Sequence, residues 1–189
     1  MVIYIHGFNS SPASSKAQLL KARLEAQARS AEFVAPALPH SPAQAAALLD
    51  ALVRRHPGAA LVGSSLGGYY ATWLAEKHGL QAALLNPAVR PYDLLAPHVG
   101  RQKNFHTGEE YEFTMQHVAE LRALEVPAVT PGCYLLVVAK GDDVLDYRRT
   151  VERYHGCRQL IIDGSDHGLS DFADYLQPVL EFCGIRGGA

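Results

Sequence analysis

Ala59-Ala60-Leu61-Val62-Gly63-Ser64-Ser65-Leu66-Gly67-Gly68-Tyr69-Tyr70-Ala71 runs from an apolar stretch into a helical one through the pattern Gly-x-Ser-x-Gly. A serine in that frame sits on a tight turn between a strand and a helix. Only residues without bulky side chains two positions to either side let the chain pass so closely. Ser65 becomes a candidate nucleophile, exposed at the end of a sheet. The same five residues also suit an ordinary glycine-rich turn, so the partners of Ser65 decide between the two readings.

A nucleophilic serine needs a base to accept its proton and a carboxylate to hold that base. Both follow in the chain. The run Tyr134-Leu135-Leu136-Val137-Val138-Ala139 ends in Lys140-Gly141-Asp142-Asp143-Val144-Leu145. A further run, Gln159-Leu160-Ile161-Ile162, ends in Asp163-Gly164-Ser165-Asp166-His167-Gly168. Both polar clusters begin where an apolar strand stops, the place where open parallel sheets build their sites. His167 is the expected base, because it completes the order Ser, Asp, His and is followed by a helix-like segment. His6, His40, His56, His78, His98, His106, His117 and His155 all have surface or loop explanations.

Asp142 and Asp143 are neighbours, so on an extended segment they point to opposite sides and only one reaches the imidazole. Asp142 is the expected acid, because Asp-x-Val-Leu after a glycine resembles the acid loop of serine hydrolases. Asp143 suits a solvated turn or a helix N-terminal charge. Asp163 and Asp166 read as turn-formers and stand as weaker alternatives.

Ahead of these, Val2-Ile3-Tyr4-Ile5 reads as a buried strand, followed by the loop His6-Gly7-Phe8-Asn9-Ser10-Ser11-Pro12. A His-Gly turn after the first strand resembles the loop that supplies one oxyanion-hole amide in α/β hydrolases, the second coming from the residue after the nucleophile. The expected donors are the backbone N–H groups of Phe8 and Leu66, with His6 architectural.

The 189 residues, 48% of them hydrophobic, suffice for one domain with a core, and no composition shift divides positions 1–189. With 17 basic and 19 acidic side chains, the charges nearly balance, and no Lys/Arg run suggests a nucleic-acid groove or a membrane-binding patch. The first apolar run is too short for a signal segment, and nothing approaches a membrane span; a soluble, cytoplasmic protein is expected. Cys133, Cys157 and Cys183 are odd in number and widely spaced, against a disulfide framework or a zinc site. No metal or other cofactor is expected.

Strands and helices alternate, which predicts an α/β architecture with a mainly parallel sheet flanked by helices on both faces. Ser15-Lys16-Ala17-Gln18 matches a capping box, after which Ala17, Leu20, Leu24 and Ala28 recur at helical spacing. Ser41-Pro42-Ala43-Gln44 matches a second, with proline at the first helical position. At the end, Phe172, Leu176, Val179, Leu180 and Cys183 form a stripe that packs a last helix on the sheet, with Pro178 expected to bend it. The rhythm breaks at about 92–131. That stretch is too long for a plain loop and is expected to be a small helical cap insertion over Ser65 that shapes the substrate pocket.

Five blocks in order now bear on kinship. They are the opening His6-Gly7-Phe8-Asn9-Ser10-Ser11-Pro12, the elbow from Gly63 to Leu74, Asn86-Pro87-Ala88-Val89-Arg90-Pro91, Gly141-Asp142-Asp143-Val144-Leu145-Asp146-Tyr147-Arg148, and Asp166-His167-Gly168. Together they resemble the YqiA-type bacterial esterases, from about Tyr4 to Gly184. The resemblance implies an α/β-hydrolase fold, a triad of Ser65, Asp142 and His167, and esterase activity toward short acyl esters and acyl-CoA thioesters. It is patchy between Leu95 and Pro131, apart from Thr107-Gly108 and Tyr111, so the substrate range does not carry over. The expected partner is a small-molecule acyl ester or thioester, neither nucleic acid nor membrane. Another acyl chemistry on the same fold, or a non-catalytic scaffold, are the rival readings.

Overall fold

In this computed structural model, which describes residues 1–186, the main sheet grows from the apolar runs of the sequence. The strands are β1 (Val2–Ile5), β2 (Phe33–Val34), β3 (Ala60–Ser64), β4 (Ala82–Leu85), β7 (Tyr134–Ala139) and β8 (Arg158–Ile162). β1, β3, β4 and β7 are buried along their whole length, as strands covered on both faces must be. The spatial order is β2-β1-β3-β4-β7-β8, and every pairing is parallel. The chain starts near one edge, returns through the centre and grows outward, so the ends of β1, β3, β4, β7 and β8 share one rim.

Successive side chains of a strand point to opposite faces, and the core divides accordingly. On one face Ile3, Ile5, Leu61, Leu84 and Leu136 meet helices α2 (Pro42–Arg55) and α3 (Leu66–His78). On the other, Val2, Tyr4, Val62, Leu85 and Val137 meet α1 (Ser15–Ala26) and the last helix, α7 (Leu176–Phe182). A short helix, α6 (Tyr147–Arg153), connects β7 to β8.

The helix starts differ in part from the expected caps. At α1 the N-cap is Ser14, not Ser15, and it makes no side-chain cap bond. Its buried hydroxyl donates instead to the Tyr4 hydroxyl at 3.2 Å, so a partner in the sheet competes successfully with the helix end. At α2 the Ser41 hydroxyl accepts from the Gln44 N–H at 3.3 Å, with Pro42 in the first turn as expected. The terminal stripe is buried, but it begins as a 3-10 turn over Phe172–Tyr175. Pro178 then falls in the first turn of α7, where its missing N–H has no intrahelical partner to lose.

The insertion comprises α4 (Pro91–Leu95), a 3-10 turn over Ala96–His98, strands β5 (Gly100–Lys103) and β6 (Glu110–Phe113), and α5 (Met115–Arg122). Its ends are helical, as expected, but its centre is an antiparallel hairpin that the expectation of a helical cap did not include. The register explains the hairpin: Arg101 stands opposite Glu112 and Lys103 opposite Glu110, opposite charges that favour cross-strand pairing. α5 packs down through buried Val118 and Leu121, and Tyr69 on α3 donates to the Leu121 carbonyl at 2.9 Å.

Candidate active site

The turn between β3 and α3 places Ser65 at φ 53°, ψ −120°, a region that a residue with a Cβ rarely occupies. The neighbouring glycines make this possible. A Cβ on Gly67 would lie 2.0 Å from the Ile5 carbonyl oxygen, and one on Gly63 would lie 2.4 Å from the oxygen of Gly67. The elbow is therefore pressed directly against β1 and the start of α3.

Three strand ends converge on it. His167 Nδ1 is 2.8 Å from Asp142 Oδ2, and His167 Nε2 is 3.1 Å from Ser65 Oγ. An ionised carboxylate only accepts, so Nδ1 carries the proton and donates to Asp142, leaving Nε2 free to accept from the Ser65 hydroxyl. The second carboxylate oxygen, Asp142 Oδ1, accepts from the Val144 N–H at 2.9 Å and the Leu145 N–H at 2.8 Å. Burial acts to raise the Asp142 pKa, but the bonds from His167, Leu145 and Val144 outweigh it and hold the carboxyl below its ordinary value. The Asp142 side chain is 2% exposed and that of His167 25%, so the carboxylate is sealed while the imidazole stays partly open.

The other candidates fall elsewhere. Asp143 makes no bond to the imidazole, whose Nδ1 is taken by Asp142. Asp166 Oδ1 caps its own turn by accepting from the Ser170 N–H at 3.1 Å, and Asp163 pairs with Lys140. His6 is buried, with Nδ1 donating to the Gly7 carbonyl at 3.0 Å and Nε2 accepting from the Leu38 N–H at 3.3 Å. Burial lowers its pKa, opposed by the bond to Gly7, as suits a neutral residue that shapes the loop after β1.

Phe8 belongs to the loop after β1 and Leu66 follows Ser65 in the chain, and among the described residues neither backbone N–H donates to a protein acceptor. Both line a cavity of about 450 Å³ with Ser65 and His167, whose other walls are chiefly Ala88, Leu94, Leu95 and Leu145. That size falls within the range of small-molecule sites. The lining is chiefly apolar, with Ser65, His167 and His98 as its polar side chains.

Two features at this rim have no role that the sequence alone would assign. Asn86, buried in the turn after β4, donates through Nδ2 to the carbonyls of Asp166 (3.0 Å) and His167 (3.1 Å). Its Oδ1 accepts from the Ala139 N–H at 2.9 Å. Asn9, in the loop that carries Phe8, is held by the hairpin: Tyr111 donates to Asn9 Oδ1 at 2.7 Å, and Asn9 Nδ2 donates to Gln102 at 3.1 Å. Asn104 from the same hairpin donates to the Ser10 carbonyl at 2.9 Å. The sequence signals for Asn86 are its place between a strand and Pro87 and its membership of the block Asn86–Pro91 that carries the family resemblance; for Tyr111 it is its match in an otherwise divergent segment.

Among the described residues, no helix is long and apolar enough to cross a membrane. The fold recurs in solved structures. Est1E from Butyrivibrio proteoclasticus superposes with a TM-score of 0.70 at 18% identity, over 96% of this chain and 85% of its own. The mouse α/β hydrolase domain-containing protein 10 gives 0.68 at 13% identity, over 95% and 89%. The esterase domain of a Rhodothermus marinus protein gives 0.63 at 16%, over 93% and 82%. These likenesses identify the α/β-hydrolase fold. In sequence, the chain is 24% identical to a UPF0227 protein of Vibrio parahaemolyticus over 96% of this chain and 98% of that one. A UPF0227 protein of Yersinia enterocolitica is 22% identical over the same shares. The family model described as "Uncharacterised protein family (UPF0227)" matches residues 1–184. This chain, with its parallel sheet and its serine elbow, therefore belongs to the UPF0227 family, the YqiA-type group its sequence resembles.

Proposed function

We propose that this protein is a serine esterase or thioesterase that hydrolyses small acyl esters or acyl-CoA thioesters through an acyl-enzyme. The observation that carries the reading is the continuous hydrogen-bonded line Ser65–His167–Asp142, at 3.1 and 2.8 Å, opening into an apolar cavity. Ser65 Oγ attacks the substrate carbonyl carbon while its proton passes to His167 Nε2. The Phe8 and Leu66 amides receive the developing oxyanion, each such donor being worth about 3 kcal/mol of barrier. The tetrahedral species collapses, and the leaving alcohol or thiol takes the proton from Nε2. Water then enters, gives a proton to His167, attacks the acyl carbon and releases the acid with the Ser65 hydroxyl restored. Asp142 stays ionised throughout and holds the imidazole in the tautomer that can accept from serine. The apolar walls suit the acyl chain, and the partly exposed imidazole leaves a route for the leaving group.

The test is direct. Ser65→Ala should abolish hydrolysis of a short chromogenic ester while circular dichroism and melting stay those of the wild type, and a fluorophosphonate should label the wild type at Ser65 alone. Turnover retained in Ser65→Ala would refute the assignment.

A further inference from the structure

His167 sits on a loop between β8 and the 3-10 turn at Phe172 with no regular structure of its own, yet proton transfer needs its imidazole fixed to a fraction of an ångström. Three successive carbonyls of this loop are gripped by side chains from other elements. Asn86 Nδ2 takes those of Asp166 and His167, and Lys16, from the first turn of α1, donates its ammonium to that of Gly168. Asn86 is 3% exposed and Lys16 8%, so neither bond competes freely with water.

The turn that carries Asn86 is also tied, through backbone neighbours, to the segments of Asp142 and Ser65. Asn86 Oδ1 accepts from Ala139, the last residue of the acid's strand, and Asp142 N–H in turn donates to the Ala139 carbonyl at 3.3 Å. The same turn holds the nucleophile: Ser65 N–H donates to Leu85 at 3.0 Å, and Ala88 N–H donates to the Ser65 carbonyl at 3.1 Å. Asn86 adopts φ 41°, a left-handed conformation that asparagine tolerates better than most residues. Both polar atoms of its amide thus join β4, β7 and the base loop.

We propose that Asn86 is a positioning residue that locks the His167 loop to the acid strand and the nucleophile turn, with Lys16 as the second clamp on that loop. The inference rests on the esterase reading. No atom of either side chain need touch substrate: they act through His167. Loosening the loop leaves the apolar cavity intact, so binding persists while the fraction of molecules with the imidazole in line falls.

Three variants test this. Asn86→Asp keeps the shape and the acceptor for Ala139 but turns a carboxylate oxygen toward two carbonyls. Asn86→Gly removes the side chain and accepts the positive φ without strain. Lys16→Met keeps most of the stem and removes the donor. Each is assayed for kcat and KM on a short chromogenic ester, for the rate of fluorophosphonate labelling at Ser65, and for melting. The expected result is a kcat loss reaching on the order of 10²-fold in the Asn86 variants and smaller in Lys16→Met. KM should stay nearly constant, and labelling per folded molecule should slow in parallel. Wild-type kcat in folded Asn86 variants, or a loss that merely tracks the unfolded fraction, would overturn the proposal and leave the esterase reading standing. If an Asn86 variant does not fold, unchanged kcat and labelling in folded Lys16→Met overturns the clamp by itself. Failure of the wild type to label or turn over would instead remove the esterase reading, and this inference with it.

Discussion

Replacing Asp142 by asparagine changes one atom and should nearly silence the site. Asp142 Oδ1 is fixed by the Val144 and Leu145 amides at 2.9 and 2.8 Å, so in the Asp142→Asn variant the side-chain oxygen must stay there. The new NH₂ then faces His167 Nδ1, which in the wild type lies 2.8 Å from a carboxylate oxygen. A donor opposite Nδ1 forces the imidazole proton onto Nε2, the atom that must accept from Ser65. The volume and the backbone bonds are kept while the tautomer is inverted, and the nucleophile loses its base. In serine proteases the equivalent change costs about 10⁴ in kcat, which at about 1.36 kcal/mol per factor of ten is about 5.4 kcal/mol of barrier. The assay is steady-state hydrolysis of p-nitrophenyl acetate at neutral pH, with Asp143→Asn alongside and circular dichroism for both. Asp143 is off the hydrogen-bonded line that Asp142 completes, so its variant should match the wild type. A folded Asp142→Asn within tenfold of wild-type kcat, or an equal loss in Asp143→Asn, would refute the argument about which carboxylate holds the imidazole.

Other expectations follow from packing and charge. Gly67→Ala places a methyl 2.0 Å from the Ile5 oxygen, so chemical denaturation should show a loss of about 3 kcal/mol or more; an unchanged midpoint would contradict the close approach of elbow and β1. Ala88→Leu puts a larger side chain into the cavity wall, and a series of p-nitrophenyl esters should show KM rising more for hexanoate than for acetate; an equal rise for both would place Ala88 away from the acyl chain. Asp50 is bonded to Lys77 and His78, and Arg54 stands 2.9 Å away. The Lys77 bond, opposed by burial and aided by the His78 bond, pushes its carboxyl down to about 2. A depressed carboxyl stabilises the fold fully above the ordinary aspartate value of about 3.9 and ceases to do so as the folded form takes up its proton. Asp50→Asn should therefore melt below the wild type at neutral pH, and the gap should close between about pH 4 and about pH 2; a gap that stays constant across that window would contradict the pairing.

Much of this architecture can be read from the chain because its determinants are local. The apolar runs ending in Ile5, Val62, Leu85, Ala139 and Ile162 declare the strands, and the glycines flanking Ser65 declare the elbow. The order of Ser65, Asp142 and His167 follows once those runs are laid parallel. Asp142 over Asp143 could be read only from the resemblance of Asp-x-Val-Leu to an acid loop, because neighbouring carboxylates differ only in the direction each takes from a turn; the imidazole meets Asp142. The hairpin escaped because β5 and β6 are four residues each: β5 carries no apolar side chain, and the Glu-Tyr-Glu-Phe alternation of β6 spans only two periods. Ser14 was lost to a hydroxyl in the sheet. Asn86 was opaque for a different reason: its partners are backbone carbonyls about 80 positions away, and carbonyls leave no mark on a sequence.

The grip of the hairpin on Asn9 ties two properties that enzymes of this architecture could otherwise vary separately. Tyr111, Gln102 and Asn104 fasten the loop that carries Phe8, so under the proposed mechanism remodelling the roof to admit a bulkier guest would also retune the anchor for negative charge beneath it. Grafting a foreign roof onto this body would exchange selectivity and rate together, and a lineage diversifying its diet has to carry Asn9 and its clasp along or rebuild both at once.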